Sequence, residues 1–467
     1  MFEDPEPSGG ASGNAGGSGS DWDGELAPAT QIATGEASLL GVTRDGWAVF
    51  REQEMLMAAS LDTDEAVKAV SARPGSVLIR GNAVFNWADV DWMKGVGDLS
   101  VWTAEGGAHE VGETPYVENL VAASASGASI AYTANTTATT TDLMITSNDF
   151  SAPEVLIPAV GLGTEETCGA NIGFVGERLF VGWCDEGSRA AKIKRFERID
   201  DTWQTQTIAT NALPAWSSDE SGERVFYQSS EYAGYVAEGD EAIMIDASVS
   251  TGQITPDGSA VLYTVGDQLR RSAFPDVNPV PIVTTGYKQP VGFSPGFDLA
   301  LYSTTVTYEE GTRRDLLLVS TEGLNTDPIE LVSQPVAALG RSSMTRDGQF
   351  VFYLTDMSVT GATLHIVAKD GGEVLALPGV VEVVAARGST LVFTDNSSDP
   401  EVYPIVADLK AINLAEETEP RIVEEKIIDG KNFHLNADGT KVAYVRSGVD
   451  RDPEATDSKG LFMREIK

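Results

Sequence analysis

One phrase recurs ten times along the chain. A turn glycine, followed by a short apolar run, stands at Gly46 (DGWAVF), Gly81 (GNAVF), Gly127 (GASIAY), Gly176 (GERLFV) and Gly222 (GERVFY). It returns at Gly258 (DGSAVLY), Gly296 (GFDLALY), Gly348 (DGQFVFY), Gly388 (GSTLVF) and Gly439 (DGTKVAY). These markers lie about 44 residues apart on average, and six of them set an aromatic five residues after the glycine: Tyr132, Tyr227, Tyr263, Tyr353, Phe393 and Tyr444. A repeat of this size means that each copy is one supersecondary unit, able to bury its apolar face only against its neighbours.

Each unit continues in the same way. A short strand enters the turn and the aromatic-tipped strand leaves it. A third alternating strand follows, as in residues 98–105, 142–149, 315–322 and 363–370, and a fourth closes the unit, as in 152–160, 205–211 and 327–334. Period-2 alternation, frequent turn residues and no sustained helical period predict an all-β chain. Four short strands in 40 to 50 residues are the blade of a β-propeller. The unit after Gly222 departs from this, because SSEYAGYVAEGDEAIMID shows no clear third and fourth strands.

The best copies, TPDGSAVLY, TRDGQFVFY and NADGTKVAY, resemble the blade phrase of the TolB-like, PD40-type (WD40-like) propeller family. The resemblance extends weakly over residues 38–467 and implies a fold, since the phrase marks a blade and carries no chemistry. Closure follows from the ends. The last unit stops after a third strand (458–467), while residues 29–36 read as an isolated fourth strand. A ring avoids an open edge, so the N-terminal strand is expected to complete the last blade. The expected domains are residues 1–29 as a tether and 30–467 as one propeller of about ten blades. The alternatives are seven or eight blades, or two smaller rings.

Residues 1–29 are rich in Gly, Ser and acidic residues and nearly free of apolar ones, a composition that does not pack. This stretch resembles the mature end of a bacterial lipoprotein, which implies export to the periplasm or outer surface on a lipid anchor that the chain itself lacks. An ordinary disordered leader is the competing reading. The formal charge is −38, from 70 acidic and 32 basic residues. Nucleic-acid binding needs cations that displace counterions from phosphates, so nucleic acid and anionic membranes are excluded as direct partners. The acidity reads as a solubilising surface. No run approaches the roughly 18 to 20 apolar residues that cross a bilayer.

Cys168 and Cys184 are the two cysteines, flanking two strand-like runs around Gly176 and Glu177. A hairpin turning there brings them within one residue of direct opposition, an offset that a bulge absorbs. A disulfide between them would mark an oxidising compartment; two buried free thiols are the other reading.

No catalytic constellation is visible. His109, His365 and His434 fall in three different units, and no HExxH, nucleophile elbow or P-loop occurs. Two features remain. NWADVDWMKG (86–95) places Trp87, Asp89, Asp91 and Trp92 together on what reads as a long inter-strand loop; its tryptophans either tuck against a neighbouring blade or stay exposed, and exposed tryptophan anchors interfaces. The acidic loops 394–403 and 448–457 carry Asp395, Asp399, Asp450, Asp452 and Asp457, oxygen donors of the kind Ca²⁺ takes, without the spacing of an EF-hand. The expectation is therefore a non-enzymatic, monomeric binding propeller that engages a protein or surface glycan through one rim. The alternatives are a lactonase- or glycosidase-type enzyme with carboxylates and Ca²⁺ at the channel mouth, and a purely structural module.

Overall fold

A computed structural model describes residues 29–466 apart from short stretches, the longest being 162–169, 397–405 and 447–459. All thirty-eight regular elements among the described residues are β-strands. They form six four-stranded and two seven-stranded antiparallel sheets, nearly all in simple up-and-down order. This is the architecture of a β-propeller.

Local chemistry explains the repeat. Gly46, Gly258, Gly348 and Gly439 hold φ near +70 to +80°, a region where a Cβ is penalised. The aspartate before the glycine caps its own turn: Thr255 Oγ1 donates to Asp257 at 2.6 Å and Thr345 Oγ1 to Asp347 at 2.6 Å. The Thr255 hydroxyl, with the Ser259 backbone N–H and hydroxyl, holds the Asp257 carboxyl below its usual range. All six aromatics five residues past the glycine are buried, packed between neighbouring four-stranded units. Tyr353, for example, lies in the cluster that joins Leu301 and Leu318 of one sheet to Val351 and Val367 of the next.

The turns also bond to one another around the structure. Arg44 N donates to Gly81 O at 2.8 Å, Asn82 Nδ2 to Ser126 O at 3.1 Å and Ala125 N to Gly176 O at 3.0 Å. Further along, Glu220 N donates to Pro256 O at 2.9 Å and Ser389 Oγ to Asp347. At the far end, Lys441 Nζ returns to Leu61 O at 2.9 Å, which links the last sheet to the first. Apolar packing closes the same seam, with Ala443, Val445 and Leu461 against Leu39, Phe50 and Leu61.

The terminal strand behaves as expected. Thr30–Thr34 pairs antiparallel with Gly460–Glu465, in the order N-terminal strand, Gly460–Glu465, Lys441–Arg446, Phe433–Leu435. The hairpin between the cysteines also has the expected register, with Val175 opposite Arg178 and Asn171 opposite Gly182.

Two expectations are corrected. The unit after Gly222 does have its third and fourth strands, Gly234–Glu238 and Glu241–Asp246. Tight hairpins at Ser230–Ala233 and Gly239–Asp240 leave room for them, where the sequence shows only scattered small residues. Neighbouring units are also not always separate. Thr202–Ser218 and Glu373–Ala385 each run without a break from the outer edge of one unit to the inner edge of the next, fusing two units into a seven-stranded sheet. Register shifts between Ala212 and Trp216 and between Val380 and Glu382 absorb the change of direction.

Candidate binding surface

In an up-and-down sheet, successive connections alternate between the two ends of the strands. The glycine turns and the connections between third and fourth strands share one face, and the connections between second and third strands share the other. The segment 86–95 belongs to the second group. It divides differently from the sequence reading, because Ala83–Asp91 is a strand and only the residues after it form the loop.

Trp87 is therefore inside the sheet stack. It is 1% exposed, its indole Nε1 donates to Thr114 Oγ1 at 3.1 Å, and it meets Tyr116 edge-on at 5.5 Å. A side chain so placed supports a surface and does not contact a partner. Asp89 adopts φ +48° and accepts from Arg73 Nη1 at 2.9 Å, the same nitrogen that reaches Asp98 at 3.2 Å. Arg73 itself sits on the crossover into this unit. Asn86 fixes that crossover, accepting from Gly75 N at 2.7 Å and donating to Arg73 O at 3.1 Å.

Asp91 builds the loop. Its Oδ1 accepts from Met93 N at 3.0 Å and Lys94 N at 3.2 Å, and its carbonyl accepts from Gly95 N at 2.8 Å. The Lys94 ammonium and backbone hold its carboxyl below the usual carboxylate range. The result is a short, internally bonded turn whose tip carries Trp92 and Met93, 71% and 95% exposed. Trp92 touches Tyr116 edge-on at 5.2 Å. Tyr116 thus lies between two tryptophans, one in the core and one in solvent.

The other candidates are placed as follows. Asp395 lies next to the last residue of the strand Thr390–Asn396 and is bridged by Lys410 Nζ at 2.5 Å. Asp399, Asp450, Asp452 and Asp457 lie outside the described residues. Among the described residues no group of three or more His, Cys, Asp or Glu is gathered as a metal would need. Cys184 is buried at the end of the strand Arg178–Cys184, opposite Ala191, and is not a free thiol. Cys168 lies outside the described residues. The histidines serve packing. His365 stacks on Tyr353 at 5.1 Å and bridges Thr355 and Glu373, His109 stacks on Phe150 at 4.5 Å, and burial lowers the pKa of His434.

No protein-family model matches the sequence, and no curated protein does. Solved structures with a similar chain path include a eukaryotic initiation factor, 10% identical over 75% of this chain and 89% of that one, with a TM-score of 0.48. TolB from Acinetobacter baumannii is 14% identical over 64% of this chain and 77% of that one, with a TM-score of 0.30. Oligogalacturonate lyase from Vibrio parahaemolyticus is 11% identical over 59% and 97%, with a TM-score of 0.27. Similarity this distant bears on fold alone, and function has to be argued from the residues of this chain.

Proposed function

We propose that the chain is a non-enzymatic binding propeller of a bacterial cell envelope, docking a protein partner through the Trp92–Met93 tip. The observation that carries this reading is the pairing of extreme exposure with local order. Two large apolar side chains project from a turn fixed by Asp91 and braced by Tyr116. Interface anchors are typically such aromatic side chains, and a tip already ordered before docking loses less conformational entropy on binding.

The wider setting is part of the same proposal. Ten four-stranded units close as one ring, with each seven-stranded sheet counted as two units sharing a long strand. Supporting this are the turn-to-turn bonds and the seam between last and first sheets. Cys184, which is not a free thiol, and the tether-like composition of residues 1–29 support export, and a Cys168–Cys184 disulfide belongs to the same proposal. The test is a photo-crosslinking residue in place of Met93, activated in intact cells. One discrete adduct, lost on Trp92→Ala and found in the envelope fraction, is expected. No adduct, or one indifferent to Trp92, would overturn the docking site, and a cytosolic adduct would overturn the compartment.

A further inference from the structure

A second surface lies on the opposite face. A groove of about 420 Å³ opens beside the Gly127 and Gly176 turns, lined by Ala128, Ser129, Glu177, Arg198, Asp200 and Trp203. Its residues come from two neighbouring units and are brought together only by the packing of one sheet on the next.

Each part has a physical cause. Ala128 leads from the Gly127 turn into the strand Ser129–Ala134, and the small side chains of Ala128 and Ser129 leave the hollow open. Arg198 and Trp203 face each other across the hairpin that joins Ala191–Ile199 to Thr202–Ser218, and Asp200 turns that hairpin at φ +49°. Trp203 is half-buried, its ring packed on the cluster that contains Phe196 and Leu179. Glu177 is held in place by Ser126 N, which donates to its Oε1 at 2.9 Å.

The charge pattern narrows the ligand. An anion meets two lining carboxylates on a chain of net charge −38. A cation meets Arg198 in the same groove, and exposed ion pairs contribute only about 0–1 kcal/mol. A neutral ligand rich in hydroxyls avoids both conflicts. Its hydroxyls can donate to the carboxylates and accept from the guanidinium fork, while an apolar ring face lies against the indole. The volume is within the range of about 300–1,000 Å³ usual for small-molecule sites. We propose that this groove binds a neutral saccharide. The site is independent of the Trp92 tip, so either can fail alone.

The test is calorimetric titration of the whole chain with maltotriose, cellotriose and triacetylchitotriose, with trigalacturonate and chitosan trimer as charged counterparts. At least one neutral trimer should bind with Kd below ~10 mM. Trp203→Ala should weaken it at least about tenfold. Ala128→Phe should do the same by filling the hollow while leaving every polar group in place, and circular dichroism should show both variants folded. The proposal is overturned if no neutral trimer binds in that range, if only a charged trimer binds, or if folded Ala128→Phe keeps the wild-type affinity.

Discussion

Tyr444 donates its phenolic O–H to Glu424 Oε2 at 2.6 Å, across the boundary between the last sheet and the one before it. Arg446 Nη2 reaches the other oxygen of the same carboxylate at 2.7 Å, and Arg464 approaches at 3.6 Å. Glu424 is nearly buried and Tyr444 fully so, so this is a polar tie in an apolar seam. Tyr444→Phe should destabilise the fold by about 1–3 kcal/mol, the cost of leaving a buried acceptor short of one donor. Urea denaturation of the two proteins measures it. An unchanged midpoint would mean that the arginines alone satisfy Glu424.

The ten turns should not tolerate substitution equally. Gly388 and Gly439 both hold positive φ, +57° and +71°. A Cβ on Gly388 would meet nothing within 4 Å, whereas one on Gly439 would stand 2.4 Å from Arg387 N. Gly388→Ala should cost about 1–2 kcal/mol, the left-handed penalty alone. Gly439→Ala should cost at least about twice that, because the backbone of the neighbouring turn must also move. Gly388→Asn should recover part of the loss. Comparative urea melts decide the ranking, and equal losses would contradict the turn-to-turn contact.

The two tryptophans of the 86–95 segment should separate cleanly. Trp87→Ala removes a buried indole and should cost about 3–5 kcal/mol. Trp92→Ala, at the exposed tip, should change stability by less than about 0.5 kcal/mol while abolishing the adduct at position 93. Thermal melts run beside crosslinking give both readouts.

Alkaline conditions should loosen the stack through its buried phenols. Burial, and for Tyr263 the neighbouring Asp246, pushes the phenols of Tyr263 and Tyr302 up to about 12, against about 10 when unfolded. The folded state therefore holds these protons more tightly than the unfolded one. Their contribution is complete below about pH 10 and is lost as pH rises toward 12. Denaturation midpoints should fall over that window, and Tyr302→Phe should flatten the decline. A midpoint that is level from pH 10 to 12 would refute the assignment.

How far the sequence was legible depends on whether a feature is local. Nine of the ten turn glycines are legible because positive φ leaves a residue-level signature, Gly296 being the exception with Phe297 at φ +59° in its turn, and the hairpin around Gly176 because its register follows from its turn. Trp87 could have been placed inside: it shares strand parity with Ala83 and Phe85, all three buried, but the polar Asn86 and Asp89 around it look like a loop. The fusion of units through Thr202–Ser218 was hidden by Pro214, which reads as a break. The groove has no sequence signal, because Ala128 and Trp203 are 75 positions apart and meet only through the packing of one sheet on the next.

The pairing of Thr30–Thr34 with Gly460–Glu465 has a consequence in time as well as space. Domains fold as the chain emerges from the ribosome, N-terminal parts first. Here Thr30–Thr34 is made well before its partner, Gly460–Glu465. Until Gly460–Glu465 has been made, Thr30–Thr34 stays unmated and the closing sheet cannot form. A nascent chain stalled before Gly460 should remain open and protease-sensitive at residues 30–34, however many of its central sheets have already packed.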